Sequence, residues 1–205
     1  MNNYQKNMDA LIERNTSEGK VPTLLLHACC APCSSYVLEY LSEYFNIIVL
    51  YYNPNITFPE EYGYRLREVD RLISEIPHKH SITLQKGEYN PETYLSAVKG
   101  LEDEPEGGER CSVCFELRLR EAAEYCKKLG ADYFATTLTI SPLKNAEKIN
   151  TIGEKVAGEY GINYLPSDFK KKNGYKRSIE LSKEYDLYRQ NYCGCQFSRK
   201  EVQGV

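Results

Sequence analysis

Short apolar runs alternate with longer segments of helical spacing along most of the chain. The apolar runs have the composition of buried strands and occupy residues 21–27, 46–52, 82–84, 132–138 and 162–165. Helical spacing covers residues 4–18, 34–44, 59–76, 91–98, 111–130, 146–159 and 175–187. Strands that alternate with helices of this length form βαβ units, whose parallel sheet is covered on both faces. The sequence therefore predicts an α/β fold with three layers and a mainly parallel sheet of about five strands.

The length of 205 residues suits one well-packed domain. We predict a single α/β domain over residues 1–205, with an N-terminal helix and a C-terminal tail that carries cysteines. The N-terminus lacks the apolar core of a signal peptide, and no apolar run approaches the ~20 residues of a membrane helix. We therefore expect a cytoplasmic protein with no membrane contact. The formal net charge of −3 argues against a protein that coats nucleic acid, although a local basic patch is compatible with it.

The segments of unusual composition follow the predicted strands. They are HACCAPC (27–33), NPN (53–55), KGEY (86–89), TTLTISPLKN (136–145) and SDFK (167–170). Right-handed βαβ connections place the carboxyl ends of parallel strands at one edge of the sheet, so these segments should meet there. Cys111 and Cys114 open a helix that leads into the fourth strand, which puts them at the same edge. Cys193 and Cys195 follow a helix that should end at the opposite edge, so the tail must fold back.

Seven of the eight cysteines fall into three groups. The groups are Cys29, Cys30 and Cys33; Cys111 and Cys114; and Cys193 and Cys195. In a reducing compartment such clusters are more often metal ligands or redox-active thiols than disulfides, although four disulfides would fit a secreted protein. A C-x₂-C pair that opens a helix presents both sulfurs on one face, and the positive helix end favours the thiolate. The eighth, Cys126, lies within a helix and is interpreted as a small packed side chain.

Seven thiols exceed the four that one zinc ion or one cubane cluster uses. This surplus favours electron transfer over a structural zinc site. Two alternatives stay open: a thioredoxin-like thiol–disulfide oxidoreductase that uses Cys30 and Cys33, and a nucleic-acid-binding protein stabilised by zinc. His27 is either a group that supports a metal ligand or a core histidine with satisfied hydrogen bonds.

Several motifs in fixed order carry a resemblance to a known family. HACCAPC, NPNI, GERCSVCF with the following RLREAA, TTLTISPLKN, SDFKKKNGY and YRQNYCGCQFS together resemble the QueH family of epoxyqueuosine reductases. The resemblance spans roughly residues 22 to 198. It implies an oxidoreductase that contains a [4Fe-4S] cluster, works without cobalamin, and removes the epoxide oxygen from epoxyqueuosine at the anticodon wobble position of tRNA to give queuosine.

The implied fold is Rossmann-like and similar to the PP-loop and nucleotide-hydrolase group. The SGGxDS loop of PP-loop enzymes is absent, and HACCAPCS stands in its place after the first strand. The resemblance also implies roles for the thiols. Cys29, Cys30, Cys111 and Cys114 would ligate the cluster. Cys193 and Cys195 would form a redox-active pair or ligate an adjacent metal.

We extend the resemblance to a hypothesis about a second centre. Cys33, Cys193 and Cys195, with Asp168 as an oxygen ligand, would hold an additional iron ion that polarises the epoxide C–O bond. Asp168 is also a candidate proton donor, with Tyr175 and Tyr192 as alternatives. A helix cap or turn residue is an equally good interpretation of Asp168.

The remaining site predictions concern the substrate and the electron source. Lys144, Lys171, Lys172, Tyr175 and Arg177 are candidate substrate-binding residues. The basic cluster that includes Lys171, Lys172 and Arg177 either contacts the anticodon backbone or forms a solvated turn. The electron donor is unidentified and expected to be ferredoxin-like or flavodoxin-like.

Overall fold

Residues 3–203 are described here from a computed structural model. Five parallel strands form one sheet: β1 (Thr23–His27), β2 (Asn46–Tyr51), β3 (Ile82–Lys86), β4 (Tyr133–Thr136) and β5 (Asn163–Tyr164). Their order across the sheet is β3-β2-β1-β4-β5. The three middle strands consist mainly of buried apolar residues, as parallel strands covered on both faces require. The predicted parallel sheet of five strands is confirmed.

Eight helices and one 3₁₀ turn accompany the strands in the described part of the chain. They are α1 (Tyr4–Ser17), α2 (Ala31–Leu41), α3 (Pro59–Glu75), α4 (Pro91–Ala97), α5 (Glu109–Leu129), the 3₁₀ turn Thr137–Ile140, α6 (Ala146–Tyr160), α7 (Gly174–Glu184) and α8 (Gln196–Gln203). None of the helices described is long and apolar enough to cross a membrane.

The side chains of the central strands alternate between two cores. Leu24 and Leu26 of β1 pack with α1, α2 and α3 on one face of the sheet. Leu25 of the same strand packs with α5 and α6 on the other face. This alternation follows from the period of two in a strand. The described residues form one three-layer α/β domain of Rossmann-like type, whereas the predicted bounds 1–205 extend beyond them and stay a prediction.

Some element boundaries differ from those predicted. Helix α2 begins at Ala31, three residues earlier than expected, because Pro32 is well accommodated in a first helical turn. Strand β4 ends at Thr136, whose hydroxyl accepts a hydrogen bond from the backbone N–H of Leu138 and starts the 3₁₀ turn. Helix α7 ends at Glu184, and α8 was not predicted.

The strand order contains a topological switch point between β1 and β4. From β1 the chain runs outward through β2 to β3, and then returns to the other side of β1 to form β4 and β5. The crevice beyond the carboxyl ends of two such strands is where α/β sheets bind ligands. His27 pairs with Thr136 at that end of the two strands. The cysteine motif after β1 and the segment after β4 therefore face one crevice.

Candidate metal and redox site

The first thiol group lies in the turn from β1 into α2. The Sγ atoms of Cys29, Cys30 and Cys33 all lie within 4.8 Å of one another, and those of Cys29 and Cys30 are 3.7 Å apart. Cys30 is the extended residue that precedes α2, so the group lies at the positive end of that helix. Three soft ligand atoms at this spacing can bind one metal centre.

The three thiols share negative charge unequally. Hydrogen bonds from Cys30 and Cys33 lower the pKa of Cys29 well below its usual value. The same hydrogen bond raises the pKa of Cys30 to about 12, and the interaction with Cys29 also raises that of Cys33. The Thr137 hydroxyl lies 3.5 Å from the Cys29 sulfur and supports its thiolate. A bound cation would displace the remaining protons.

The second thiol group surrounds an inner cavity of about 80 Å³. Cys111 and Cys114 reach it from the first two turns of α5, and Cys193 and Cys195 reach it from the tail. The Cys111 sulfur accepts a hydrogen bond from the Gly107 N–H at 3.2 Å. Burial raises the pKa of Cys114 to about 12 and raises the pKa values of Cys111 and Cys195.

The tail folds back to the site because arginines of α3 hold its carbonyls. Arg65 donates from Nη1 to the Cys193 carbonyl at 3.0 Å and from Nε to the Glu61 carboxylate at 2.7 Å. Arg65 is only 2% exposed, so these contacts are buried. This geometry confirms the predicted return of the tail.

A second anchor lies one helical turn further along α3. Arg71 donates to the Tyr185 carbonyl at 3.0 Å, and Glu68 accepts from the Tyr188 N–H at 3.0 Å. The segment that leads to Cys193 is therefore attached to α3 at two places.

An outer cleft of about 300 Å³ adjoins the inner cavity. Cys29, Cys30 and Cys33 line it, and Cys193 lines both spaces. Seven thiols thus surround two neighbouring spaces at the switch point. All eight cysteines are free, which contradicts the alternative of four disulfides.

The wall of the inner cavity contains polar atoms that lack a protein partner. Arg118 and Asn55 are each 1% exposed, and Nη2 of Arg118 and Oδ1 of Asn55 make no hydrogen bond within the described residues. An unpaired buried polar group costs roughly 1–3 kcal/mol. The unused Nη2 of Arg118 and the four thiols fit an anionic occupant with acceptor atoms, as a thiolate-ligated iron–sulfur cluster would be.

Lys144 lies where the two spaces meet and lines both of them. Partial burial disfavours its charge, but the neighbouring thiols of Cys193, Cys29 and Cys33 raise the pKa of Lys144 above its usual value. The ammonium group is therefore held as a cation beside the sulfur atoms. Tyr175 also lines the outer cleft. Both residues were predicted as substrate contacts, and the structure brings them to the site.

Asp168 and the basic cluster lie outside both cavity linings. Asp168 Oδ1 is 3.0 Å from Lys170 Nζ, so its carboxylate is engaged in an ion pair. Lys172 lies 2.8 Å from a carboxylate oxygen of Asp9. Lys171 is exposed. These residues stay predicted contacts for substrate or metal, but the structure does not bring them together with the thiols.

Arg177 forms a bidentate ion pair with Glu39. The distances are 3.0 Å from Nε to Oε2 and 2.6 Å from Nη2 to Oε1. This pair joins α7 to α2 and uses two of the five N–H donors of the guanidinium. A role in substrate binding would require this geometry to change.

His27 is placed as a core residue. Its Nδ1 is 2.9 Å from the Thr136 hydroxyl and its Nε2 is 3.1 Å from the Tyr52 carbonyl, so both ring nitrogens are engaged. Burial lowers the pKa of His27 to about 4, and the ring is neutral at physiological pH. Between the two interpretations considered, this geometry favours the satisfied core histidine.

Several residues at the site were not predicted. Glu106 lines both spaces, and its carboxylate accepts from the Ser198 hydroxyl at 2.9 Å. The sequence indicated only an acidic loop there. The NPN segment after the second strand did point to the site. Its Asn53 donates to the Ala28 carbonyl at 2.9 Å and fixes the first cysteine turn. Nothing in the sequence pattern indicated the role of Arg65, because that role depends on where the tail returns.

A Rossmann-like sheet with seven free thiols at its switch point defines an α/β protein with a metal-binding or redox-active cysteine site. Comparison with known proteins makes the assignment more specific. A family model described as "Epoxyqueuosine reductase QueH" matches residues 24–201, and the chain belongs to this family.

Three curated relatives are similar over most of their own length. A protein of Streptococcus pyogenes serotype M1 named epoxyqueuosine reductase QueH is 47% identical over 205 residues, which cover 99% of this chain and 80% of the relative. A protein of the same name from Staphylococcus epidermidis is 42% identical, with 99% and 87% covered. One from Thermotoga maritima is 37% identical, with 87% and 91% covered. These similarities do not favour the thioredoxin-like or the zinc-stabilised alternative.

Proposed function

We propose that this protein is an epoxyqueuosine reductase that acts on tRNA in the cytoplasm. The reaction takes up two electrons and two protons, breaks the two C–O bonds of the epoxide, and yields the alkene of queuosine and one water molecule. The observation that carries the proposal is the convergence of seven free thiols at the switch point of the sheet. Membership in the QueH family supplies the reaction.

The donor set fits a [4Fe-4S] cluster with an additional iron ion or redox-active thiol pair. We propose Cys29, Cys30, Cys111 and Cys114 as cluster ligands, which leaves Cys33, Cys193 and Cys195 for the second role. When bound, the cluster would supply electrons one at a time, and a second iron ion would polarise the epoxide oxygen. The electrons would come from a ferredoxin-like or flavodoxin-like donor.

The geometry also favours a second division of the thiols. Cys111 and Cys114 share the inner cavity with Cys193 and Cys195, whereas Cys33 lies with Cys29 and Cys30. In this division the cluster would take its ligands from the four-thiol cavity and the other metal from the three-thiol group. In the first division each metal centre would instead draw thiols from both spaces, so the two divisions differ in which thiols the cluster needs.

The outer cleft is the proposed place of the modified base. Tyr175 and Tyr192 line it, and Leu143 is 76% exposed on the loop that separates it from the inner cavity. Aromatic and apolar surfaces of this kind stack unpaired RNA bases. Lys144 holds a positive charge beside the reacting region and would orient electron-rich oxygen atoms of the substrate.

Iron counting after anaerobic reconstitution tests the metal centre. We expect a coloured protein with four or more iron atoms per chain, on the order of a cubane cluster with one further ion. Cys111→Ser should lose the cluster in either division. Cys195→Ser should lose only the additional iron in the first division and the cluster in the second. Cys126→Ser is the matched control and should keep full iron. A colourless protein that binds zinc alone would refute the proposal.

Conversion of tRNA that contains epoxyqueuosine, with a chemical reductant, tests the reaction itself. The iron-loaded protein should form queuosine, and a loaded protein that forms none would refute the assigned activity.

Contact between the basic cluster and tRNA is tested separately. Reversal of charge at Lys171 and Lys172 should weaken tRNA binding at low salt. The same change at Lys127 and Lys128, exposed at the far end of α5, is the control for net charge. Equal tRNA affinities of the two double variants would show that the basic cluster does not contact tRNA.

A further inference from the structure

Arg118 is fixed in the wall of the inner cavity with part of its guanidinium unused. It lies one helical turn after Cys114 on α5 and donates from Nε to the Cys114 carbonyl at 3.3 Å. Its Nη1 donates to the Asn53 side-chain oxygen at 3.4 Å. These two bonds orient the planar group, and Nη2 has no hydrogen-bond partner among the described residues.

The neighbouring groups that favour the charge of Arg118 are thiols and not carboxylates. No ion pair within residues 3–203 includes it, and it is 1% exposed. Burial disfavours its charge, but the thiols of Cys114, Cys193, Cys29 and Cys111 raise the pKa of Arg118 above its usual value. One guanidinium is therefore within electrostatic reach of thiols from all three sequence groups.

Asn55 provides a second unpartnered group in the same wall. It lines the inner cavity, is 1% exposed, and its Oδ1 has no hydrogen-bond partner within the described residues. The oxygen and nitrogen of an amide are interchangeable by a flip, so Asn55 can present its NH₂ group to a bound acceptor. Two buried polar groups in one wall point to a ligand with acceptor atoms.

We propose that Arg118, assisted by Asn55, donates hydrogen bonds to the sulfur atoms of the metal centre and raises its reduction potential. Hydrogen bonds and positive charge near cluster sulfurs stabilise the more negative, reduced state. Arg118 is a positioning residue in this role, since it acts on the electron carrier and not on the substrate. A lysine would keep the charge but lose the rigid planar donor group. The inference rests on the proposed function, because it requires an iron–sulfur centre at these thiols.

Redox titration of the reconstituted protein tests the inference without an activity assay. Arg118→Lys should retain iron. At a fixed solution potential the ratio of reduced to oxidised cluster should be about tenfold lower than in the wild type, which corresponds to a midpoint potential lower by about 59 mV for one electron. Asn55→Leu, which removes the amide at similar size, should shift the midpoint in the same direction by less. Arg120→Lys is the matched control, because Arg120 lies on the same helix and pairs with Glu116 and Glu159.

The outcomes separate this inference from the proposed function. Midpoint potentials of Arg118→Lys and Asn55→Leu that equal that of Arg120→Lys would overturn the role in tuning. Loss of iron from both variants while they remain folded would also overturn it, because the two groups would then serve cluster assembly. A wild-type protein without an iron–sulfur signal would refute the proposed function itself.

Discussion

Asn53 connects the first cysteine turn to helix α5, and its replacement should destabilise the fold. Its Nδ2 donates to the Ala28 carbonyl at 2.9 Å, and its Oδ1 accepts from Arg118 Nη1 at 3.4 Å. The side chain is 1% exposed, so water cannot replace either bond. In Asn53→Ala, a buried carbonyl and a buried guanidinium would each lose a partner.

The size of the effect follows from those two groups. Leaving a buried hydrogen-bonding group unsatisfied costs roughly 1–3 kcal/mol. The bond to Ala28 is short and the bond from Arg118 is long, so we expect a total loss of about 3 kcal/mol. For a chain of this size that corresponds to a decrease in Tm of roughly 6–12 °C.

Urea unfolding of the metal-free protein under reducing conditions measures this loss. Asn163→Ala is the matched control, because the Asn163 amide also donates to a backbone carbonyl, that of Asp132 at 3.1 Å, but on the exposed surface. The control should change the free energy of unfolding by no more than about 0.5 kcal/mol. If Asn53→Ala lost no more than the control, with an unchanged dependence on urea, the proposed connection through Asn53 would be wrong.

Three further predictions concern the tail, helix α6 and the eighth cysteine. The hydrogen bond from the neighbouring arginine lowers the pKa of Glu68 below 4.5, so its stabilisation is present above pH 4.5 and lost as the pH falls through the folded-state value. The difference in unfolding free energy between wild type and Glu68→Gln should therefore shrink below pH 4.5, and a constant difference would contradict this. Gly153→Ala would drive its Cβ into the Tyr164 ring and should destabilise the protein by roughly 1–3 kcal/mol in thermal unfolding. Gly158→Ala, which meets open space, should stabilise it by about 0.5–1 kcal/mol. Cys126→Ala should leave the iron content unchanged, since Cys126 packs in the core away from both cavities, and loss of iron would contradict that placement.

The sequence pattern was sufficient for the strands, for all helices except α8, and for one part of the site. The apolar runs located every strand, with the strongest signal in β1, β2 and β4, which are the most buried. The turn from β1 into α2 was also predictable, since Cys29, Cys30 and Cys33 lie within seven residues of a buried strand. The strand order and the two-residue length of β5 were not predictable, because they depend on packing between distant segments.

The arrangement of the remaining thiols depends on contacts that have no local pattern. Arg65 and Cys193 are 128 positions apart in the sequence, yet their hydrogen bond brings the tail to the site. Asp168 looked like a metal ligand from its position after a strand, but Lys170 lies two residues away and forms an ion pair with it. Local charge pairs of this kind are common on loops, and only the folded structure shows which carboxylates take part in them.

Buried charge links the stability of this fold to its site. Arg65 is balanced by the Glu61 carboxylate, whereas Arg118 forms no ion pair with a carboxylate among the described residues. A buried cation needs a countercharge, and neutral thiols supply none. Burial raises the pKa of Cys114 to about 12, so this neighbouring thiol supplies no negative charge to Arg118 at neutral pH. A bound metal would displace that proton and place a further anion beside Arg118, so metal binding and folding of this wall would stabilise each other.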